Sequence, residues 1–199
     1  MSENSPELTS ATAMKLATAK QKKDTGDQAF KLGETKAALL AYHEASIASD
    51  LLSRSSSAPT PSKDGKEVKE KTEVDEILEK IYANMSACHI KNQNWQRAVD
   101  TANKALAKNE NNYKAMFRKG KALGEQGFFE KAVKILEEVK EKNPSDKSIV
   151  DAELTRLRAI DNERERANKQ KLKGFLNKAE KKAAAVASSD ASASTTDPA

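Results

Sequence analysis

The segment NMSACHIKNQNWQRAVDTANKALAKN, which begins at Asn84, is echoed 34 residues later by RKGKALGEQGFFEKAVKILEEVKEKNP, which begins at Arg118. In this register Ala98 falls on Ala132, Trp95 on Phe129 and Ala105 on Val139. A step of 34 residues with small residues at fixed positions is the mark of helix pairs stacked into a solenoid. One helix pair cannot bury its apolar face alone, so copies must stack, and the stack has a concave face able to hold an extended ligand. The period therefore predicts an all-α fold and points to binding rather than to chemistry.

Composition agrees with that architecture. Of 199 residues, 37% are hydrophobic, 33% charged and only 5% aromatic, enough for one helical domain with polar tails. Seven glycines and five prolines are too few for a turn-rich sheet protein and suit long helices. The formal net charge of +5 is a weak pointer to nucleic acid, because basic and acidic residues are interleaved in stretches such as EKAVKILEEVKEK, the pattern of a solvated helix face. Only KLKGFLNKAEKK concentrates positive charge, and it reads as a solvated helix end. The single cysteine, Cys88, excludes an internal disulfide framework and a zinc site built of several thiolates. No run approaches the roughly 20 apolar residues of a membrane span, and the first residues lack the apolar core of a secretory signal. The expected location is the cytoplasm, with the nucleus as the second choice.

Used as a ruler, the period divides the chain. Residues 1–13 are expected to form a disordered tail, followed by a domain over 14–182. Repeats are expected over about 19–52, 79–112 and 113–146. The first is marked by Gly26, Phe30, Gly33, Ala38, Tyr42 and Ala45, with Gly33 in the turn between its helices. From Ala19 to Glu79 is a longer separation than one step, leaving about 26 surplus residues between the first two repeats. Part of that surplus is the Ser/Pro/Gly-rich stretch 53–66, a polar insert read as a passive linker. Asn143-Pro144 closes the third repeat. A capping helix over about 147–182 places Ile149, Leu154, Leu157 and Ile160 on the open end of the stack, and 183–199 is expected to be a disordered tail.

Catalytic signals are absent. There is no Gly-rich phosphate loop, no nucleophile elbow and no metal-ligand pair at helical spacing, so no catalytic residue, metal or cofactor is assigned. His89 is expected to be a packed or partly exposed histidine, and Cys88 a small buried hydrophobe. The sharper pattern is charge on the first helix of each repeat, which lines the concave face. Lys114, Arg118 and Lys121 are spaced i, i+4, i+7 and share one stripe. Like charges so placed cost an isolated helix about 0.2 to 0.5 kcal/mol per pair, so the stripe invites an anionic partner. Lys23 in the first repeat and Asn84 in the second face the same groove, where charge-assisted bonds could grip a carboxylate.

Over roughly residues 15–180 the chain resembles tetratricopeptide repeat proteins, especially the three-repeat domains of Hsp90 and Hsp70 co-chaperones and large immunophilins. It also looks like the tetratricopeptide repeat protein 9 group, in which a long polar insert follows a first repeat bearing an AYHEAS-like motif. The resemblance implies a right-handed superhelix of three helix-turn-helix repeats plus a long capping helix. It also implies a carboxylate clamp for a C-terminal Glu-Glu-Val-Asp peptide of Hsp90 or Hsp70. Matched by repeat position, the clamp residues are Lys23 in KKDTGDQAF, Asn84 in YANMSACH, and Lys114 and Arg118 in YKAMFRKG, with Lys121 nearby. The departure is Asp27, where the clamp has asparagine. An aspartate there sets a like charge against the ligand's carboxylate or pairs with Lys23 one turn back, and either effect alters binding. The resulting expectation is a non-enzymatic adaptor. The alternative is a scaffold for another protein complex in which the clamp is degenerate. An RNA-associated solenoid is disfavoured by the scarcity of aromatic stacking residues.

Overall fold

The computed structural model describes the backbone of residues 6–56 and 72–192, with side chains described over 12–52, 72–178 and at Lys181. Within these residues the chain is all-α. The helices are α1 Pro6–Lys31, α2 Thr35–Ser56, α3 Glu73–Lys91, α4 Trp95–Lys108, α5 Tyr113–Glu125, α6 Phe129–Lys142 and α7 Lys147–Ser192, with a 3-10 turn at Pro144–Asp146 before the last. The stack up to Leu154 forms one compact unit, and α7 from Thr155 onward forms another.

Three hairpins make up the first unit: α1 packs on α2, α3 on α4, and α5 on α6. Their turns are set by residues that accept a left-handed backbone. Gly33 has φ +84° and Gly127 has φ +92°, while Gln93 takes φ 56° at the equivalent turn of the second hairpin. Each hairpin then leans on the next through α2–α3 and α4–α5, and the first helices of successive hairpins also touch, α1 with α3 and α3 with α5. Those three helices form the wall on which the predicted groove residues lie.

The small residues of the period are where helices cross most closely. A Cβ placed on Gly26 would sit 2.6 Å from Cε1 of Tyr42, and one on Gly120 would sit 2.8 Å from Cγ of Leu136. In the second repeat the equivalent residue is Ser86, whose hydroxyl donates a 2.9 Å bond to the Ala98 carbonyl and so satisfies itself in the core. Around these crossings Ala38, Tyr42, Leu78, Ile81, Cys88, Ala98 and Ala105 are buried. Cys88 thus packs as the small hydrophobe expected of it, and burial pushes its thiol up to about 11.

Several boundaries differ from those read in the sequence. Helix α1 begins at Pro6, well inside the stretch expected to be a disordered tail. Proline suits a first helical position, where its missing N–H would have had no intrahelical acceptor. Helix α3 begins at Glu73, ahead of the repeat's start near 79, and the helical periodicity of EVDEILEKIYANMSACH already begins at that residue. Thr72 and Asp75 form a capping box there, the Thr72 side chain accepting from the Asp75 backbone and Asp75 accepting from the Thr72 backbone. Helix α2 continues to Ser56, and the rest of the polar insert, 57–66, lies outside the described residues. At the C-terminus α7 reaches Ser192, beyond the expected end at 182. The run AAAVAS that continues it is rich in alanine, the strongest helix former, so a shortage of large apolar residues did not end the helix.

The inward face of α7 carries Leu154 and Leu157 as expected, both buried, but differs at its start. Val150 and Leu154 are buried, whereas Ile149 is 60% exposed, so the inward face in the first turns is carried by the residue after the expected one. An ion pair of 2.6 Å between Lys140 on α6 and Asp151 anchors this start.

Candidate functional site

Lys23 and Asp27 of α1, Asn84 of α3, and Lys114 and Arg118 of α5 line one cleft of about 270 Å³. The four basic and amide residues expected to converge do converge, and the divergent aspartate lies among them. Three further lining residues were not singled out in the sequence: Lys80, Ala83 and Asn112. A signal for Lys80 was available, since it precedes Asn84 by one helical turn on the same face. Asn112 caps α5 by accepting from the Ala115 backbone N–H at 2.9 Å, so it reads locally as a cap.

Lys121 does not line this cleft but shares the adjoining one with Lys114 and Arg118, the stripe read from their spacing. That second cleft, of about 380 Å³, is also lined by Ile90, Phe117 and Ile149, and the Lys121 ammonium stands 3.8 Å from the buried Glu153 carboxylate. Lys114 and Arg118 line both clefts, so α5 forms the ridge between a polar hollow and a more apolar one.

Asp27 is the electrostatic centre of the first cleft. Its Oδ2 accepts from the Lys23 ammonium at 2.7 Å. Its Oδ1 accepts from the Tyr42 hydroxyl at 2.6 Å and from the Asn84 amide at 2.8 Å. Partial burial alone would raise the Asp27 pKa, but the bonds from Lys23 and Tyr42, the Lys23 charge and the Asn84 bond outweigh it and hold the carboxyl below its ordinary range. Burial likewise works against the Lys23 charge, and the bonds and charges of Asp27 and Asp24 reverse it, leaving that lysine above its ordinary value. Tyr42 is driven well up by burial and by the adjacent carboxylate, so it stays a donor. Of the two effects foreseen for Asp27, pairing with Lys23 is the one the geometry realises. Tyr42, read in the sequence only as a large core residue of the first repeat, turns out to be a member of this network.

At the other end of the cleft Arg118 is half-buried and gives one guanidinium N–H to the Ala83 carbonyl at 2.6 Å. Lys80 and Lys114 are exposed. His89 is buried on the far side of α3, and burial, then the nearby charges of Arg97 and His43, lower its pKa. Among the described residues no group of three or more His, Cys, Asp or Glu could hold a metal ion, and no helix is long and apolar enough to cross a membrane.

Comparisons with known proteins agree with this architecture. The tetratricopeptide repeat family model matches residues 81–159. The peptidyl-prolyl cis-trans isomerase FKBP4 of Mus musculus is 32% identical over 138 residues, covering 69% of this chain and 28% of that protein. FK506-binding protein 5 of Rhizopus delemar is 29% identical over 116 residues, 58% of this chain and 27% of that one. The chain thus spans about a quarter of the length of these curated relatives. Among solved structures, the C-terminal TPR-containing domain of an FK506-binding protein from Plasmodium falciparum superposes with a TM-score of 0.62 at 24% identity, over 79% of this chain and 95% of that one. The first TPR domain of Spaghetti (RPAP3), bound to the HSP90 peptide SRMEEVD, gives a TM-score of 0.55 at 21% identity, over 72% and 95%. The second TPR domain of human RPAP3, in complex with the HSP70 peptide SGPTIEEVD, gives 0.53 at 21%, over 74% and 98%. The chain therefore carries a tetratricopeptide repeat domain. The narrower likeness to the tetratricopeptide repeat protein 9 group rests on the first-repeat motif and the polar insert alone.

Proposed function

We propose that this protein is a non-enzymatic adaptor whose cleft between α1, α3 and α5 holds an acidic peptide, of the kind found at the C-termini of Hsp90 and Hsp70. The observation that carries this reading is the convergence of Lys23, Asn84, Lys114 and Arg118 on one cleft from three helices. A cleft with several cations and one carboxylate is net positive, and charged groups in a confined hollow focus their field on an incoming anion. The peptides in two of the structural neighbours end in Glu-Glu-Val-Asp, which gives the ligand chemistry a precedent on the same fold. The adjoining apolar cleft along Phe117 and Ile90 extends the surface in a direction an extended peptide could follow. The expected setting is the cytoplasm.

The test is titration of the full chain with the heptapeptide SRMEEVD. Affinity should fall at least about tenfold, 1.4 kcal/mol, in Lys114→Ala. It should also weaken as salt rises, because exposed charges lose their reach as the Debye length shrinks from about 10 Å at 0.1 M to about 3 Å at 1 M. Binding indifferent to Lys114 and to salt would sink the reading. A second reading, a scaffold for another complex with a degenerate clamp, draws on one observation: Asp27 already engages two of the expected clamp donors. In that case Lys114→Ala leaves the capture of the true partner unchanged.

A further inference from the structure

The donors of the cleft are divided unevenly between its two ends. On the α1 side Asp27 receives three of them, from Lys23, Asn84 and Tyr42, all within 2.6–2.8 Å. The protein has in effect supplied its own carboxylate at that end. Among the other cations that line the cleft, Lys80 of α3 and Lys114 and Arg118 of α5, the picture is reversed. Among the described residues Lys80 and Lys114 have no hydrogen-bond or ion-pair partner, and Arg118, with five guanidinium N–H groups, spends one on the Ala83 carbonyl.

We infer that the cleft reads side-chain carboxylates at Lys80, Lys114 and Arg118 and does not read a chain terminus, so that acidic segments inside a partner's sequence bind as well as acidic C-termini do. This rests on the acidic-peptide reading of the cleft and sharpens its ligand class. The argument follows from where Asp27 sits. A terminal carboxylate seeking Lys23 and Asn84 would have to share two donors with a carboxylate already bonded to both. It would also meet that carboxylate's negative charge in a partly dry hollow, where like charges repel more strongly than in water. Asp27 cannot yield by rotating to solvent without breaking three bonds at once. Nor does it yield by taking a proton at neutral pH, since the same donors stabilise its ionised form. An acidic side chain arriving at Lys80, Lys114 and Arg118 meets neither obstacle. Asp27 is then the specificity-determining residue, acting by occupying the place a terminus would take.

Three peptides on the full chain decide the matter: SRMEEVD with a free C-terminus, the same peptide as its C-terminal amide, and SRMQQVN with a free C-terminus. The wild type should bind acid and amide within about twofold and lose about tenfold or more on SRMQQVN. In Asp27→Asn, an isosteric change that turns the acceptor into a donor, the free acid should become favoured over the amide by about fivefold or more. Lys114→Ala should weaken acid and amide alike. A wild type that loses more than about fivefold on amidation overturns the inference while leaving the acidic-peptide cleft standing, and so does equal binding of SRMQQVN. If none of the three peptides binds, the reading of the cleft itself fails and the inference goes with it. The decisive comparison is made on the wild type, so it does not depend on any variant folding.

Discussion

Tyr42 joins two roles in one side chain, and both can be tested separately. Its ring lies over Gly26, where an added Cβ would approach to 2.6 Å, and its hydroxyl donates to Asp27 at 2.6 Å. Tyr42→Phe keeps the ring and removes the donor, so it should cost about 1.5–3 kcal/mol, the range for bonds to charged groups, read as a lower urea midpoint. Gly26→Ala attacks the ring contact instead and should cost about 1–3 kcal/mol through overpacking. The carboxylate adds a pH dependence whose sign is fixed. The folded pKa of Asp27 lies below its ordinary 3.8, so its contribution is fully present above that value. That contribution is lost as pH falls from 3.8 through the lower folded value. A stability-against-pH curve should therefore have an acid limb that is shallower in Asp27→Asn, and an identical limb in both proteins would exclude Asp27 as its source.

At the scale of elements, α7 tests how far periodicity can set a register. Of the pattern Ile149, Leu154, Leu157 and Ile160, Leu154 and Leu157 are buried, yet Val150 is fully buried and Ile149 stands 60% exposed. Val150 lies four residues before Leu154 and seven before Leu157, on their face of the helix, whereas Ile149 lies five before Leu154 and is turned away from it. The consequence is a paired prediction. Val150→Ala should lower stability by about 1–3 kcal/mol, as expected for a buried methyl pair, whereas Ile149→Ala should stay within about 0.5 kcal/mol. Equal losses in thermal unfolding would place both side chains inside. In α3 the helical periodicity runs ahead of the repeat, from Glu73 onward. Its core positions are marked by the repeat, but its true start depends on Thr72 and Asp75 exchanging capping bonds, a local signal that lies upstream of the repeat.

For the molecule as a whole, the 34-residue step placed Lys23, Asn84, Lys114 and Arg118 around one cleft, because a repeat fixes which positions share a face. The Lys23–Asp27 pair was also legible, from its i, i+4 spacing, but the rest of the pairing was not. The Asp27 network takes Tyr42 from α2 and Asn84 from 57 residues away, a choice made by side-chain reach across helices rather than by any period. A stack in which each hairpin touches only its neighbours should also come apart in pieces. Leu136 is fully buried and packs on Gly120, so it pins α6 to α5. Leu136→Ala should cost about 2–5 kcal/mol, and the loss should be felt first in the third hairpin. Because Lys114 and Arg118 ride on α5, peptide affinity should fall with it even though Leu136 lines neither cleft. Native-state hydrogen exchange should show amides of α5 and α6 losing protection while those around Leu78 and Ile81 in α3 keep most of theirs. Loss of protection spread evenly over α1 to α6 would mean that the stack unfolds as one cooperative unit, and the coupling of fold to binding would then run through the whole domain rather than through its third repeat.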